Sequence, residues 1–157
     1  TELKKELRNL IEKNSNNIDL KKSIVNIGAY NNINQSALKL ILLDYEYFLQ
    51  GESLAKFDIG TVKDLSNNSK INIEHIAPQT ILPGVKPMEN INLLGNLVLT
   101  FNNSTLTNKT FESKKSIYIS SDLSSERELV GYEEWNDKTI IERGKKLQKF
   151  ILDKWKP

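Results

Sequence analysis

The hydrophobic period of this chain changes at residue 71, and that change limits the folds open to it. Before it, apolar residues recur three and four apart, the spacing that puts them on one face of a helix. Leu3, Leu7, Leu10 and Ile11 form a first segment, a second starts at Asp19, a good N-cap, and a third covers residues 35–50. The third is the most apolar, with Ala37, Leu38, Ile41, Leu42, Tyr45 and Phe48, and Gly51 follows it as a natural helix-ending residue. Beyond the polar stretch 66–70, Ile71 to Ile76 alternate as a strand does until Pro78 stops them. A loop containing Pro83, Gly84 and Pro87 leads to residues 93–101, an apolar run that suits a second strand. A polar turn over 102–107 and a helix over 108–119 follow, with Phe111, Lys115 and Tyr118 expected on one side.

A last helix begins at Asn136 or Asp137. Its inward stripe is Ile140, Gly144, Leu147, Ile151 and Trp155, with Arg143, Lys145, Lys146 and Lys149 expected off it. The expectation is therefore an α+β domain of two parts, an N-terminal helical part over 1–66 and a core with a C-terminal helix over 67–157. Together they form one compact unit, read as excised from a larger protein because the chain opens at Thr1 without a signal stretch.

Charge and composition narrow the chemistry. Net charge is only +2, but residues from Arg143 to Lys156 hold six basic side chains against one acidic, Asp153. Such a helix either contacts phosphates or is the ordinary solvated face of an amphipathic helix. No apolar run approaches the roughly 20 residues that a membrane helix needs. There is no cysteine, which removes disulfides, iron–sulfur clusters, thiol nucleophiles and thiolate zinc sites and fits a reducing cytoplasm. His75 is the only histidine, so sites that need two imidazoles are excluded. Read alone, one histidine at a strand end is a structural side chain. Here Glu74 adds an anionic oxygen beside it, and the two serve one site only where the strand ends, because neighbouring strand residues point to opposite faces.

The ordered residues Glu74-His75-Ile76-Ala77-Pro78-Gln79, then Gly95-Asn96-Leu97-Val98-Leu99, then Asn103 and Asn108 followed by Phe111 and Lys114, resemble an HNH (His-Me finger, ββα-metal) nuclease. More closely, the chain is similar to the C-terminal domain of GmrSD-type restriction endonucleases. The likeness continues through Tyr118 into Trp135, Ile140, Arg143, Leu147 and Trp155.

That resemblance implies a ββα-metal finger packed between the N-terminal helices and the C-terminal helix. The implied activity is metal-dependent cleavage of DNA, modified phage DNA among the candidates, in a prokaryotic restriction or phage-defence system. A ParB-like nucleotide-binding domain is the implied partner on the full-length chain, and the cytoplasm the implied location. By the same resemblance His75 is the base that activates water, a task that suits a pKa near 6.5. Asn96 ties the loop that holds His75, and Lys114 faces phosphate, with Lys115 and Arg143 as further DNA contacts. One Mg²⁺ or Mn²⁺ is expected on hard oxygens, Glu74 with Asn103 or Asn108. Both asparagines also read as plain turn and cap residues. Two rival functions remain open at this point: a non-catalytic DNA-binding or regulatory module that keeps the fold, and a helical protein-interaction domain.

Overall fold

The computed structural model describes residues 30–31, 34–53, 61, 64–65, 67–80, 83–84 and 86–154. The helices expected before residue 30, and Trp155, lie outside them. Among the described residues the chain is α+β, with five helices and one two-stranded antiparallel sheet.

Helix α1, Gln35–Leu49, starts where Asn34 caps it, the asparagine side chain accepting from Ser36 N–H at 2.8 Å. It stops before Gly51, whose φ of +73° costs little without a Cβ. Strands β1 (Asn72–His75) and β2 (Leu97–Thr100) pair with Glu74 opposite Val98 and His75 opposite Leu97. Four more helices follow: α2 (Asn103–Leu106), α3 (Phe111–Tyr118), α4 (Ser124–Leu129) and α5 (Asp137–Lys154).

Both faces of the sheet are covered. Leu97 and Leu99 pack into a core with Leu38 and Leu42 of α1 and Leu147 and Ile151 of α5. Val98, on the other face, joins Leu106, Phe111, Tyr118, Trp135 and Ile140. Burial on two sides explains why β2 reads as an apolar run and not as an alternation. The described part of the N-terminal half thus shares its core with the C-terminal helix.

Three elements depart from the expected pattern. The second strand begins at Leu97 because Leu94–Asn96 form a 3₁₀ turn pressed against α5. The turn expected over 102–107 contains the short helix α2, and α3 begins at Phe111, capped by Thr110, whose Oγ1 accepts from Ser113 N–H at 3.3 Å. Helix α4 was not expected at all. Its first amides donate to the carboxylate of Glu46 on α1, Ser124 N–H at 2.7 Å and Ser125 N–H at 2.8 Å, so a residue far away in sequence supplies the cap.

Gly95 and Gly144 set the approach of the 3₁₀ turn to α5. A Cβ on Gly95 would stand 1.9 Å from the carbonyl oxygen of Ile140, a backbone atom that cannot swing aside, whereas one on Gly144 would meet nothing closer than 3.7 Å. Gly95→Ala should therefore destabilise the fold by roughly 2–3 kcal/mol or more through overpacking. Gly144→Ala should be neutral or stabilising by up to about 1 kcal/mol, since alanine favours the helix interior. Urea unfolding of the two variants checks the contrast, and equal stabilities would refute it.

Candidate active site

His75 is the last residue of β1, and Glu74 and His75 point to opposite faces of the hairpin. Each is held on its own side. Glu74 faces α3, where the ammonium of Lys114 meets its Oε1 at 2.7 Å. The same ammonium donates to the carbonyl oxygens of His75 at 2.6 Å and Ile76 at 3.1 Å. Three donors thus find three acceptors, and this satisfies a lysine that is 0% exposed. Burial pulls the Lys114 pKa down, and the hydrogen bond and charge of Glu74 oppose that pull.

On the other face, His75 Nε2 lies 3.2 Å from the side-chain oxygen of Asn92, and the ring of Tyr30 stands edge-on to the imidazole at 4.6 Å. His75 is buried too. Burial lowers its pKa, the hydrogen bond to Asn92 raises it, and the nearby Lys114 charge lowers it, with a net downward shift. The ring is accordingly neutral at neutral pH, the state in which one nitrogen keeps a lone pair.

Asn96 is fully buried at the entry to β2 and turns both ends of its amide to the loop that follows His75. Its oxygen accepts from Ala77 N–H at 2.8 Å, and its Nδ2 donates to Ala77 O at 3.1 Å and Ile91 O at 2.7 Å. The same oxygen takes the indole N–H of Trp135 at 2.8 Å. Trp135 in turn packs its ring on Phe111 and Tyr132. Asn96 is a buried structural knot beside His75.

The expected phosphate contacts need correction. Lys114 is in the interior and has no proton left for a phosphate. Arg143 is 1% exposed and donates through Nη1 to the carbonyls of Gly95 and Leu97, both at 2.8 Å. It lies on the inward side of α5 with Ile140, Leu147 and Phe150, not on the solvated face. Both cations are drawn inward because the strand ends leave carbonyls that need donors. Only Lys115 reaches the surface, where its ammonium is 3.3 Å from Glu112 and 4.9 Å above the Phe111 ring.

Of the two candidate ligand asparagines, Asn103 is exposed at the head of α2, a helix packed against β1. Asn108 is exposed as well, but its φ of +58° marks it as the left-handed residue that ends the turn after α2. Among the described residues no group of three or more His, Cys, Asp or Glu side chains comes together. Beside the site, a cleft of about 420 Å³ lies between the loop after His75 and the start of α3, lined by Pro78, Met88, Phe111 and Trp135. Glu112 and Glu134 line it against one cation, Lys86, so it carries no basic surface for a phosphate chain.

The family model for the C-terminal domain of GmrSD restriction endonucleases matches residues 12–150. The chain belongs to that family. Neither a curated protein nor a solved structure matches it. Membership gives this GmrSD C-terminal domain a role in DNA restriction, and no helix among the described residues is long and apolar enough to cross a membrane.

One residue that sequence reasoning missed is Asn92. It sits in the loop between the strands, where neither periodicity nor motif singles it out.

Two outcomes follow from these contacts. Lys114→Met should cost about 3–5 kcal/mol, because it leaves the Glu74 charge and two carbonyls buried without a donor; denaturant unfolding measures it, and a loss below 1 kcal/mol would contradict the pairing. The single imidazole should titrate below the ordinary value near 6.5. Since the folded pKa is the lower one, its contribution to stability is intact above the unfolded value and is lost as the pH falls through the folded pKa. An NMR titration at or above the ordinary histidine value would contradict the burial.

Proposed function

We propose that this GmrSD C-terminal domain hydrolyses DNA phosphodiester bonds as an HNH (ββα-metal) nuclease with His75 as general base. The observation that carries the reading is the placing of the chain's sole imidazole: it ends β1, neutral and oriented by a side-chain amide, one residue from a buried carboxylate. The order strand, loop, strand, helix around it supports the ββα finger. In this reading His75 takes a proton from water, the water oxygen bonds to phosphorus, and the bond from phosphorus to the leaving oxygen breaks.

A single Mg²⁺ or Mn²⁺ fits the donors available. Glu74 and Asn103 offer hard oxygens on adjoining elements, and among the described residues Lys114 engages only one of the two Glu74 oxygens. When bound, the cation would offset the charge that develops on the phosphate and the leaving oxygen. The Lys114 ammonium already offsets part of the Glu74 charge, so the pair would hold the ion weakly, with phosphate and water completing its shell. Asn103 is preferred to Asn108 because its helix packs on β1. The cytoplasm and a ParB-like nucleotide-binding domain on the same full-length chain belong to this reading, on the resemblance alone.

Incubating the chain with supercoiled plasmid tests the proposal. Nicking or linearisation should need Mg²⁺ or Mn²⁺, stop with EDTA, gain little from Zn²⁺, and vanish in His75→Ala while DNA affinity is kept. Cleavage at the wild-type rate in His75→Ala would remove the histidine from the chemistry. Lys115→Ala should flatten the salt dependence of binding by about 0.9 log units if it holds one duplex phosphate; an unchanged slope would place the DNA path elsewhere.

A further inference from the structure

Three parts of the chain converge on Asn92. Its backbone oxygen accepts from Tyr30 N–H at 2.9 Å, and its side-chain oxygen accepts from Gln79 Nε2 at 3.0 Å while lying 3.2 Å from His75 Nε2. Tyr30, anchored to Asn92 through its backbone, lays its ring edge-on against the imidazole. His75 therefore has little freedom to turn. The shared oxygen decides the proton. An amide oxygen that already receives the Gln79 N–H is an acceptor toward His75 as well, so Nε2 must be the ring nitrogen that carries hydrogen. A neutral imidazole has one N–H and one lone pair, and hydrogen on Nε2 leaves the lone pair on Nδ1.

We propose that Asn92 is a positioning residue that fixes His75 in the Nε2–H tautomer and so makes Nδ1 the one nitrogen able to take a proton from the attacking water. The inference rests on the reading of His75 as general base and adds which of its atoms acts and what selects that atom. Asn92 works only through His75. Gln79 fixes the orientation of the amide and Tyr30 fixes the backbone that presents it, which is how a loop residue can hold a ring in place.

The chain has one histidine, so the test is free of overlap. In a long-range ¹H–¹⁵N correlation spectrum of the ¹⁵N-labelled 157-residue chain, taken where the ring is neutral, the coupling pattern of that imidazole identifies the protonated nitrogen. The expected result is Nε2–H in the wild-type chain, loss of that preference in Asn92→Leu, and its return in Asn92→Asp, whose carboxylate can accept the same bond. At saturating plasmid DNA with Mg²⁺, single-turnover cleavage by Asn92→Leu should fall by ~10–100-fold, the usual effect of losing a partner that fixes an imidazole. DNA affinity should be unchanged, and Asn92→Asp should recover most of the rate.

Nδ1–H in the wild-type chain, or an unchanged Nε2–H pattern in a folded Asn92→Leu, overturns the proposal. The wild-type spectrum alone can do so, and Asn92→Ala replaces the leucine variant if that one does not fold. A wild-type chain that cuts no DNA refutes the nuclease reading, while the spectra still decide the role of Asn92.

Discussion

The ammonium of Lys114 holds the centre of this domain together. Buried without water, it must find anions or carbonyls for all its protons, and it finds them at one place, the end of β1: Glu74 and the carbonyls of His75 and Ile76. That single group fastens α3 to the strand end and gives the buried Glu74 its partner. Replacing such a pair with apolar residues is often neutral for stability, so its presence points to geometry as the quantity it serves. Here the geometry is that of the two residues, Glu74 and His75, on which the proposed chemistry depends.

The same logic recurs around the hairpin. Arg143 meets the carbonyls of Gly95 and Leu97 where α5 crosses the start of β2, and Asn96 ties the loop after His75 with three hydrogen bonds and takes a fourth from the indole N–H of Trp135. The long loop between the strands is thereby pinned at both ends by buried polar side chains. Glu46 does the same for α4 from across the fold. A hairpin of two four-residue strands has little stability of its own. The helices on both faces and these buried donors hold it.

Much of this is legible in the sequence, and the parts that are not share a cause. Helix α1 and its Gly51 stop, the alternation that ends at Pro78, and the stripe Ile140, Gly144, Leu147 on α5 follow from local spacing. The motif around His75 and Asn96 also led to the right family. Lys114 and Arg143 were misplaced because a basic residue beside an apolar stripe looks solvated until its partners are known, and those partners are backbone carbonyls tens of residues away. Lys114 did carry a signal: it is three residues after Phe111 and four before Tyr118, an inward position. Helix α4 is short and its cap is supplied from α1, so nothing nearby announces it. Asn92 has no local mark of any kind, and only the closing of the loop brings it to His75.

The account places a base on one face of a strand end and oxygen ligands on the other, meeting only at the tip. A crystal structure of the chain with Mn²⁺ and a short DNA duplex, with the metal located by its anomalous scattering, tests this most directly. The account predicts one manganese peak on Glu74 and Asn103, a phosphate bound to it, and His75 Nδ1 facing that phosphate. Manganese bound away from Glu74, or a phosphate chain that does not pass the end of β1, would contradict it.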